Sequence, residues 1–297
     1  MKKIILVAGG TGNLGGRVIN ALLNRDAEVR VVVRASSDIE KIHKLEKLGV
    51  KVFKVNMLSV EEMSQACIGV SCVVSTLQGL HDVIVDTQKV LLDAAIAAGV
   101  PRFIPSDYST DFTKLPAGEN RNFDLRKEFH KYLDKSPISA TSIFNGAFAD
   151  ILTYNTPMLD LKKKSVGYLG ESADWHMDFT TMDDTAAFTA EAALDSNTPE
   201  ILRIASFQIS PNELLALAGA TTKSTFNLIP MGSLDKFAKY IEHERAGNPA
   251  GENELYPKWQ SAQYMHGMFS VQHESLDNNR YPNLKWTSGT EFINSIV

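Results

Sequence analysis

Five glycines fall within the eight residues from Gly9 to Gly16, in the stretch MKKIILVAGGTGNLGGRVINALL. Gly9, Gly12 and Gly15 form G-x-x-G-x-x-G, and Gly10 adds an overlapping G-x-G-x-x-G. An interior glycine costs about 0.5–1 kcal/mol relative to alanine, so a run of them must leave the backbone bare for a reason. Placed after an apolar run and before a helical pattern, they have the context of a dinucleotide-binding turn. There the backbone approaches a pyrophosphate, and amide N–H groups unpaired at the helix start face the anion. Gly9, Thr11, Gly12, Asn13, Leu14 and Gly15 make up this turn, with Thr11 and Asn13 expected to add side-chain hydrogen bonds. The competing reading is a flexible loop.

A second chemical signal lies further on. An NAD site carries Asp or Glu at the end of the second strand, about 20 residues past the glycines. In VVVRASS, Arg34 takes that place, followed by Ser36 and Ser37. A carboxylate repels a 2′-phosphate, whereas a guanidinium and two hydroxyls bind one, so the expected cofactor is NADP(H). The alternative for Arg34 is a surface pair with Asp38 or Glu40.

The remaining candidates are weaker. The spacing Tyr-x-x-x-Lys, in which lysine helps tyrosine pass a proton, occurs at Tyr281–Lys285, in a segment that reads as loop, and is read as coincidence. His81, His130 and His176 are each able to reach a cleft, although a lone histidine is more often a satisfied structural residue. No histidine pair has metal-ligand spacing and no G-x-S-x-G elbow occurs, so no metal is expected. Cys67 and Cys72 read as two buried thiols in a reducing compartment.

The elements that must position these residues alternate. Apolar, β-branched runs stand at Ile4–Val7, Val29–Val33, Val52–Val55, Cys72–Ser75, Phe103–Pro105 and Ala140–Phe144. Helical patterns lie between them: Leu14, Val18, Ile19, Leu22 and Leu23 share one face, as do Val83, Ile84, Thr87, Val90, Leu91, Ala94, Ala95 and Ala98. Continuous apolar strands alternating with amphipathic helices give an α/β fold, a doubly wound parallel sheet with a crevice at the strands' carboxyl ends. Residues 1–150 are expected to form this Rossmann-type domain, with 177–205 returning to it. Residues 151–297 are expected to form a smaller α+β substrate lobe. Asp183 or Asp184 is expected to cap a helix within Met177–Leu194. SPNE at Ser210–Glu213 reads as a capping box, and helices are expected around Leu234–Glu244 and Lys258–Met268.

Composition narrows the function. The chain has 297 residues, 44% hydrophobic and 22% charged, with a net charge of −5, and no polybasic tract, so direct binding of nucleic acid is not expected. No run approaches a membrane span, and the apolar start ends too soon for a secretion signal. The expectation is a cytoplasmic protein.

GGTGNLGG, VVVR and AAGVPRFIPSDY at Ala97–Tyr108 together resemble the NmrA-like, isoflavone-reductase-like branch of atypical short-chain dehydrogenases. The resemblance implies a Rossmann domain binding NADPH and a smaller C-terminal substrate lobe. By position, the glycine turn would hold the pyrophosphate and Arg34 the 2′-phosphate. Ser75, Thr76 and Leu77 would line the cofactor, and Pro105, Ser106 and Asn145–Phe148 would approach the nicotinamide. The family's lysine, on the helix after the fifth strand, aligns with Arg126; Lys127 is one residue further on. Neighbouring helix positions differ by about 100°, and arginine does not release its proton, although it can polarise a carbonyl. Two functions stay open: an NADPH-dependent reductase of a small carbonyl, quinone or conjugated aromatic substrate, and an NADP(H)-binding redox sensor that reports to a protein partner. Trp175, Phe179, Trp259, Tyr264, Met265, Met268 and Phe269 suit a flat apolar ligand, or simply pack the lobe.

Overall fold

A computed structural model describes residues 2–297. Six strands, β1 (Ile4–Ala8), β2 (Glu28–Val33), β3 (Lys51–Lys54), β4 (Cys72–Ser75), β5 (Arg102–Ile104) and β6 (Ser139–Ala140), form one sheet in the order β3-β2-β1-β4-β5-β6. Every pairing in it is parallel. The central strands are buried along their length, as near-continuous Val/Ile/Leu runs require of a sheet covered on both faces. Between the strands run α1 (Asn13–Leu23), α2 (Ile39–Lys47), α3 (Val60–Cys67), α4 (Gln88–Ala97) and α5 (Arg121–Leu133). This is the doubly wound, Rossmann-type order.

Two segments depart from expectation. The run Ala140–Phe144 is not one strand. Ser139 and Ala140 stay on β5, the Thr141 N–H still reaches the Phe103 carbonyl, and the Ser142 N–H turns to the Glu200 carbonyl at 2.8 Å. Ser142–Phe144 is therefore a separate strand, β7. The helix expected from Val83 begins as a π-helical turn, Asp82–Thr87, in which the Thr87 hydroxyl donates to the Asp82 carbonyl at 2.8 Å. The wider turn shifts the apolar face, burying Val85 and Leu92 beside Ile84, Leu91, Ala94 and Ala95.

The chain divides into two compact units whose segments interleave in sequence. The first comprises the chain up to Asp107, Leu125–Ile143 and Thr185–Leu202. Its core joins Leu6, Val32, Val73 and Phe103 of the sheet to Met63, Leu91, Ala95 and Phe129 of the helices. Thr185–Leu202, which includes most of α6 (Met182–Leu194), is tied in by Arg102, whose Nη1 donates to the Ala192 carbonyl at 2.9 Å, and by the Arg25–Glu191 ion pair.

The second unit comprises Tyr108–Asp124, Phe144–Asp184 and Arg203–Val297. Tyr108–Asp124 belongs there because the rings of Phe112 and Phe123 meet at a tilt, Phe112 packing edge-on to Phe144 and Phe123 edge-on to Tyr264. Its strands include β8 (Ala147–Phe148), β9 (Ser165–Tyr168), β10 (Met177–Thr180), β11 (Ile201–Arg203, shared at the boundary), β12 (Phe207–Ile209) and β13 (Asn227–Pro230). β10 lies between β8 and β12, and β9 pairs with β13. Helices α7 (Pro211–Thr222), α8 (Leu234–Gly247), α9 (Lys258–Met268) and α10 (Gly289–Ile296) complete it. The SPNE capping box forms on α7. On α6 the cap is Thr181, not an aspartate: its Oγ1 accepts from the Asp184 N–H at 3.0 Å, and the Asp184 carboxylate instead accepts from Ser206 and the Thr287 N–H.

Candidate functional site

The turn from β1 to α1 is built almost wholly from backbone. Gly9 has φ +85°, and a Cβ there would lie 2.6 Å from the Thr76 carbonyl oxygen. A Cβ on Gly15 would lie 2.3 Å from the Gly9 carbonyl oxygen, and one on Gly10 would lie 2.7 Å from Ile19 Cδ1. Packing of turn, helix and β4 thus forbids side chains at all three. Gly12 differs: a Cβ there would meet only the Gly9 carbonyl oxygen, at 3.1 Å, and otherwise open space. The Gly12 N–H closes the turn on the Gly9 carbonyl at 2.9 Å. No side chain caps α1, so the first-turn amides from Asn13 to Gly15 are left for an external acceptor. Asn13 does not brace the turn as expected; its Oδ1 accepts from Arg17 Nε at 3.0 Å, one helical turn on.

Arg34 is exposed at the end of β2 and makes no ion pair among the described residues. The surface pairing with Asp38 does not form, because that carboxylate caps α2, accepting from the Glu40 N–H at 2.8 Å. Ser36 is exposed beside Arg34, and the Ser37 N–H closes a turn on the Arg34 carbonyl at 3.0 Å.

After β4 and β5 the site is stitched by side chains. Ser75 is fully buried, and the Thr76 hydroxyl donates to the Ala8 carbonyl at 2.8 Å, fixing the end of β4 to the end of β1. Ser106 is bonded through every polar group: its N–H donates to Gln88 Oε1 at 3.0 Å, its hydroxyl to the Leu77 carbonyl at 2.6 Å, and its carbonyl accepts from Arg126 Nε at 2.9 Å. Leu77, Pro105, Ser106 and Arg126 are therefore brought together. Lys127, half-buried, is the next residue on α5. Sequence reasoning missed Gln88 and Asp107, both fully buried polar residues. Gln88 had a readable signal, a glutamine among the apolar positions of its helix.

Asp107 accepts from His130 Nε2 at 2.7 Å and from the Ser142 hydroxyl at 2.8 Å. Burial pulls the His130 imidazole down, but the Asp107 carboxylate more than offsets this, and the net pKa is raised. His81, half-exposed, lies between Asp86 and Glu128, with Glu128 the main cause of its raised pKa. His176 contacts Glu213 Oε2 at 3.1 Å. Burial pushes Cys67 up to about 11 and Cys72 up to about 12, which leaves both thiols inert.

Asn145 and Phe148 belong to the second unit. The Asn145 N–H donates to the Ser109 carbonyl at 3.0 Å, its own carbonyl accepts from the Thr180 hydroxyl at 2.6 Å, and Phe148 is half-buried on β8. Phe179, Met265, Met268 and Phe269 are buried in that unit's core, and Trp175 donates from Nε1 to the Met268 carbonyl. Trp259 is sandwiched by Arg121 and Arg245, each 4.7 Å from its ring. Packing therefore accounts for these aromatics as a group. Tyr281–Lys285 lies outside any helix. Among the described residues no cluster of three potential ligands can hold a metal ion, and no helix is long and apolar enough to cross a membrane.

Comparison with known proteins adds three likenesses and one family. The model of the NmrA-like family matches residues 1–275. Pinoresinol reductase 2 of Arabidopsis thaliana is 26% identical, over 100% of this chain and 98% of the relative. The crystal structure of an isoflavone reductase superposes with a TM-score of 0.83 at 19% identity, covering 100% of both chains. The NADPH complex of leucoanthocyanidin reductase from Vitis vinifera gives 0.81 at 18% identity, covering 99% of both.

Proposed function

The chain belongs to the NmrA-like family, and from that premise we propose that it is an NADPH-dependent reductase of a small, flat, conjugated aromatic or quinone-like substrate. The observation that carries the cofactor assignment is the Arg34 guanidinium, exposed and without an ion-pair partner among the described residues, on the same carboxyl edge of the sheet as the uncapped amides of α1. The residues fit the group. Gly12 leaves a cradle that a side chain would fill, the amides of Asn13, Leu14 and Gly15 face a pyrophosphate, and Arg34 with Ser36 binds a 2′-phosphate. The relatives' names, reductases of pinoresinol and of leucoanthocyanidin, favour an aromatic substrate.

When bound, NADPH supplies the hydride. The chain's own residues orient and polarise. Thr76, Leu77, Pro105 and Ser106 form a wall that side-chain hydrogen bonds hold still. Arg126 is held on the Ser106 carbonyl through Nε and acts as a permanently charged group beside the developing oxyanion. Lys127 keeps a transferable proton and is the candidate acid.

The test is titration with NADPH and NADH by nicotinamide fluorescence, then NADPH oxidation with pinoresinol, a naphthoquinone and a conjugated aromatic ketone. Tight NADPH binding and turnover of at least one acceptor are expected. Arg126→Ala and Lys127→Ala then separate clamp from acid: loss of turnover with cofactor binding intact identifies the residue, and only a proton donor gives a pH–rate limb. The absence of a family lysine at Arg126 favours one other reading, a cofactor-state sensor; NADPH binding with no turnover of any acceptor selects it. Failure to bind NADPH overturns both.

A further inference from the structure

Arg126 and His130 stand four residues apart on α5 and so share one face, one turn apart. Arg126 bonds the Ser106 carbonyl and His130 bonds the Asp107 carboxylate, adjacent residues of the turn after β5. The helix is sewn to the turn by two consecutive stitches. The second is the stronger in kind. Asp107 is fully buried, and its Oδ2 receives both the imidazole and the Ser142 hydroxyl of β7, so the turn is held from a helix and a strand at once. Ser106 in turn fixes Leu77, 29 positions earlier, through its hydroxyl. A displacement at Asp107 is therefore felt at both segments assigned to the cofactor wall.

We propose that the His130–Asp107 pair is a positioning device for the nucleotide crevice, one that sets the Ser106–Leu77 wall through the turn after β5 and makes cofactor affinity depend on a proton. The proposal rests on the assignment of that wall to NADPH. The groups facing the ring include the Asp107 carboxylate from the turn and Asp134, with Oδ1 3.7 Å from Nδ1, from α5 itself; Ser142 from β7 shares the Asp107 oxygen. While His130 is protonated, a buried carboxylate faces a cation. When the ring loses that proton, the carboxylate keeps a hydrogen bond from the neutral imidazole but no longer faces a cation. His130 has its folded pKa raised, so the clasp holds in full below the ordinary histidine range and slackens as pH rises through the raised value.

The experiment measures the NADPH dissociation constant from pH 7 to pH 9, where the 2′-phosphate, with a second pKa of about 6, no longer titrates. The parent's affinity should weaken about three- to tenfold across that range. His130→Gln should bind more weakly at pH 7 and show a flat profile. His130→Lys, which restores a cation, should recover affinity and stay flat. Alongside, hydrogen exchange of the ligand-free protein at one fixed pH reads the Ser106 and Asp107 amides, bonded to Gln88 and to the Pro105 carbonyl. They should lose protection in His130→Gln and regain it in His130→Lys. Parallel affinity profiles in parent and His130→Gln, or unchanged protection, overturn the positioning role. A parent that binds no NADPH at any pH refutes the functional reading instead, and the exchange measurement still decides whether the pair positions the turn.

Discussion

Two turns leave the carboxyl edge of the same parallel sheet, one after β1 and one after β5, and they are made by opposite means. The first is shaped by what is missing. Gly9, Gly10 and Gly15 have no room for a Cβ, and the turn is closed by a backbone bond from Gly12 to Gly9. The second is shaped by what is added. Gln88, Arg126, His130 and Ser142 come from three other elements to bond Ser106 and Asp107. A turn fixed by backbone sterics is rigid at any pH and presents donors to a fixed anion. A turn fixed by charged side chains can be tuned, by protonation or by exchanging one residue. That would suit the end of the crevice to which the proposed function assigns the chemistry.

The largest expected effects separate the glycines themselves. Gly15→Ala should destabilise the protein by about 3 kcal/mol or more, because its Cβ would collide with backbone rather than with a yielding side chain. Gly12→Val should remain folded by circular dichroism yet lose NADPH and NADH binding, since the space it fills lies outside the protein's own packing. Equal stability losses for the two would show that Gly12 is structural and that the cradle is not one.

The same comparison ranks the charged stitch next. His130→Ala leaves the fully buried Asp107 carboxylate without its cation, and breaking such a pair costs about 3–5 kcal/mol. Because the folded pKa of His130 is raised, its contribution is fully present below about 6.5, the unfolded value, and is lost as pH rises through the folded value. Urea melts of parent and variant should therefore lie closer together above that range, where only the hydrogen bond to Asp107 is left, than below it. The glycine variants should show no such pH dependence.

Much of this was legible in the sequence, and the division follows physical range. The glycine turn and the place of Arg34 are local patterns, each resting on residues within one strand–helix–strand unit, and the parallel sheet followed from the alternation of strands and helices. Ser106 was placed at the site only by family resemblance, Gln88 stood out only as a glutamine among apolar helix positions, and the bonds that Gln88, Asp107 and Ser142 make were not legible. Their partners lie 18 to 35 positions away, and no periodicity records which side chain meets which carbonyl. The break at Thr141 was hidden likewise, since Ala140–Phe144 reads as one short strand while its hydrogen bonds pass from Phe103 to Glu200. His130 shows the limit most clearly. Its type announced chemistry, but only the buried carboxylate opposite it says which kind.

Arg34 gives a smaller effect and tests the edge of the sheet rather than either turn. Arg34→Ala should weaken NADPH binding by about 1.5–3 kcal/mol, the worth of a charge-assisted contact, and leave NADH binding and thermal stability unchanged, since the side chain is exposed and pairs with no acid among the described residues. Equal affinities of the parent for NADPH and NADH would remove the 2′-phosphate from the assignment while leaving the glycine cradle intact.

The smallest effects test whether the two turns differ in kind or only in degree. Ser106→Ala removes a single neutral hydrogen bond, the one to the Leu77 carbonyl at 2.6 Å, and should cost about 0.5–1.5 kcal/mol of stability. Its consequence for binding should exceed that of any equivalent truncation in the first turn, because Leu77 and Ser106 then move independently. Asn13→Ala is the matched control: it removes the bond from Arg17, an exposed pair one helical turn apart worth about 0.2–0.5 kcal/mol, and touches nothing that shapes the glycine turn. NADPH titration of the two variants side by side should show a several-fold loss for Ser106→Ala and none for Asn13→Ala. The reverse order would mean that side chains, not backbone, hold the first turn, and that the stitches on the second are incidental to the cofactor.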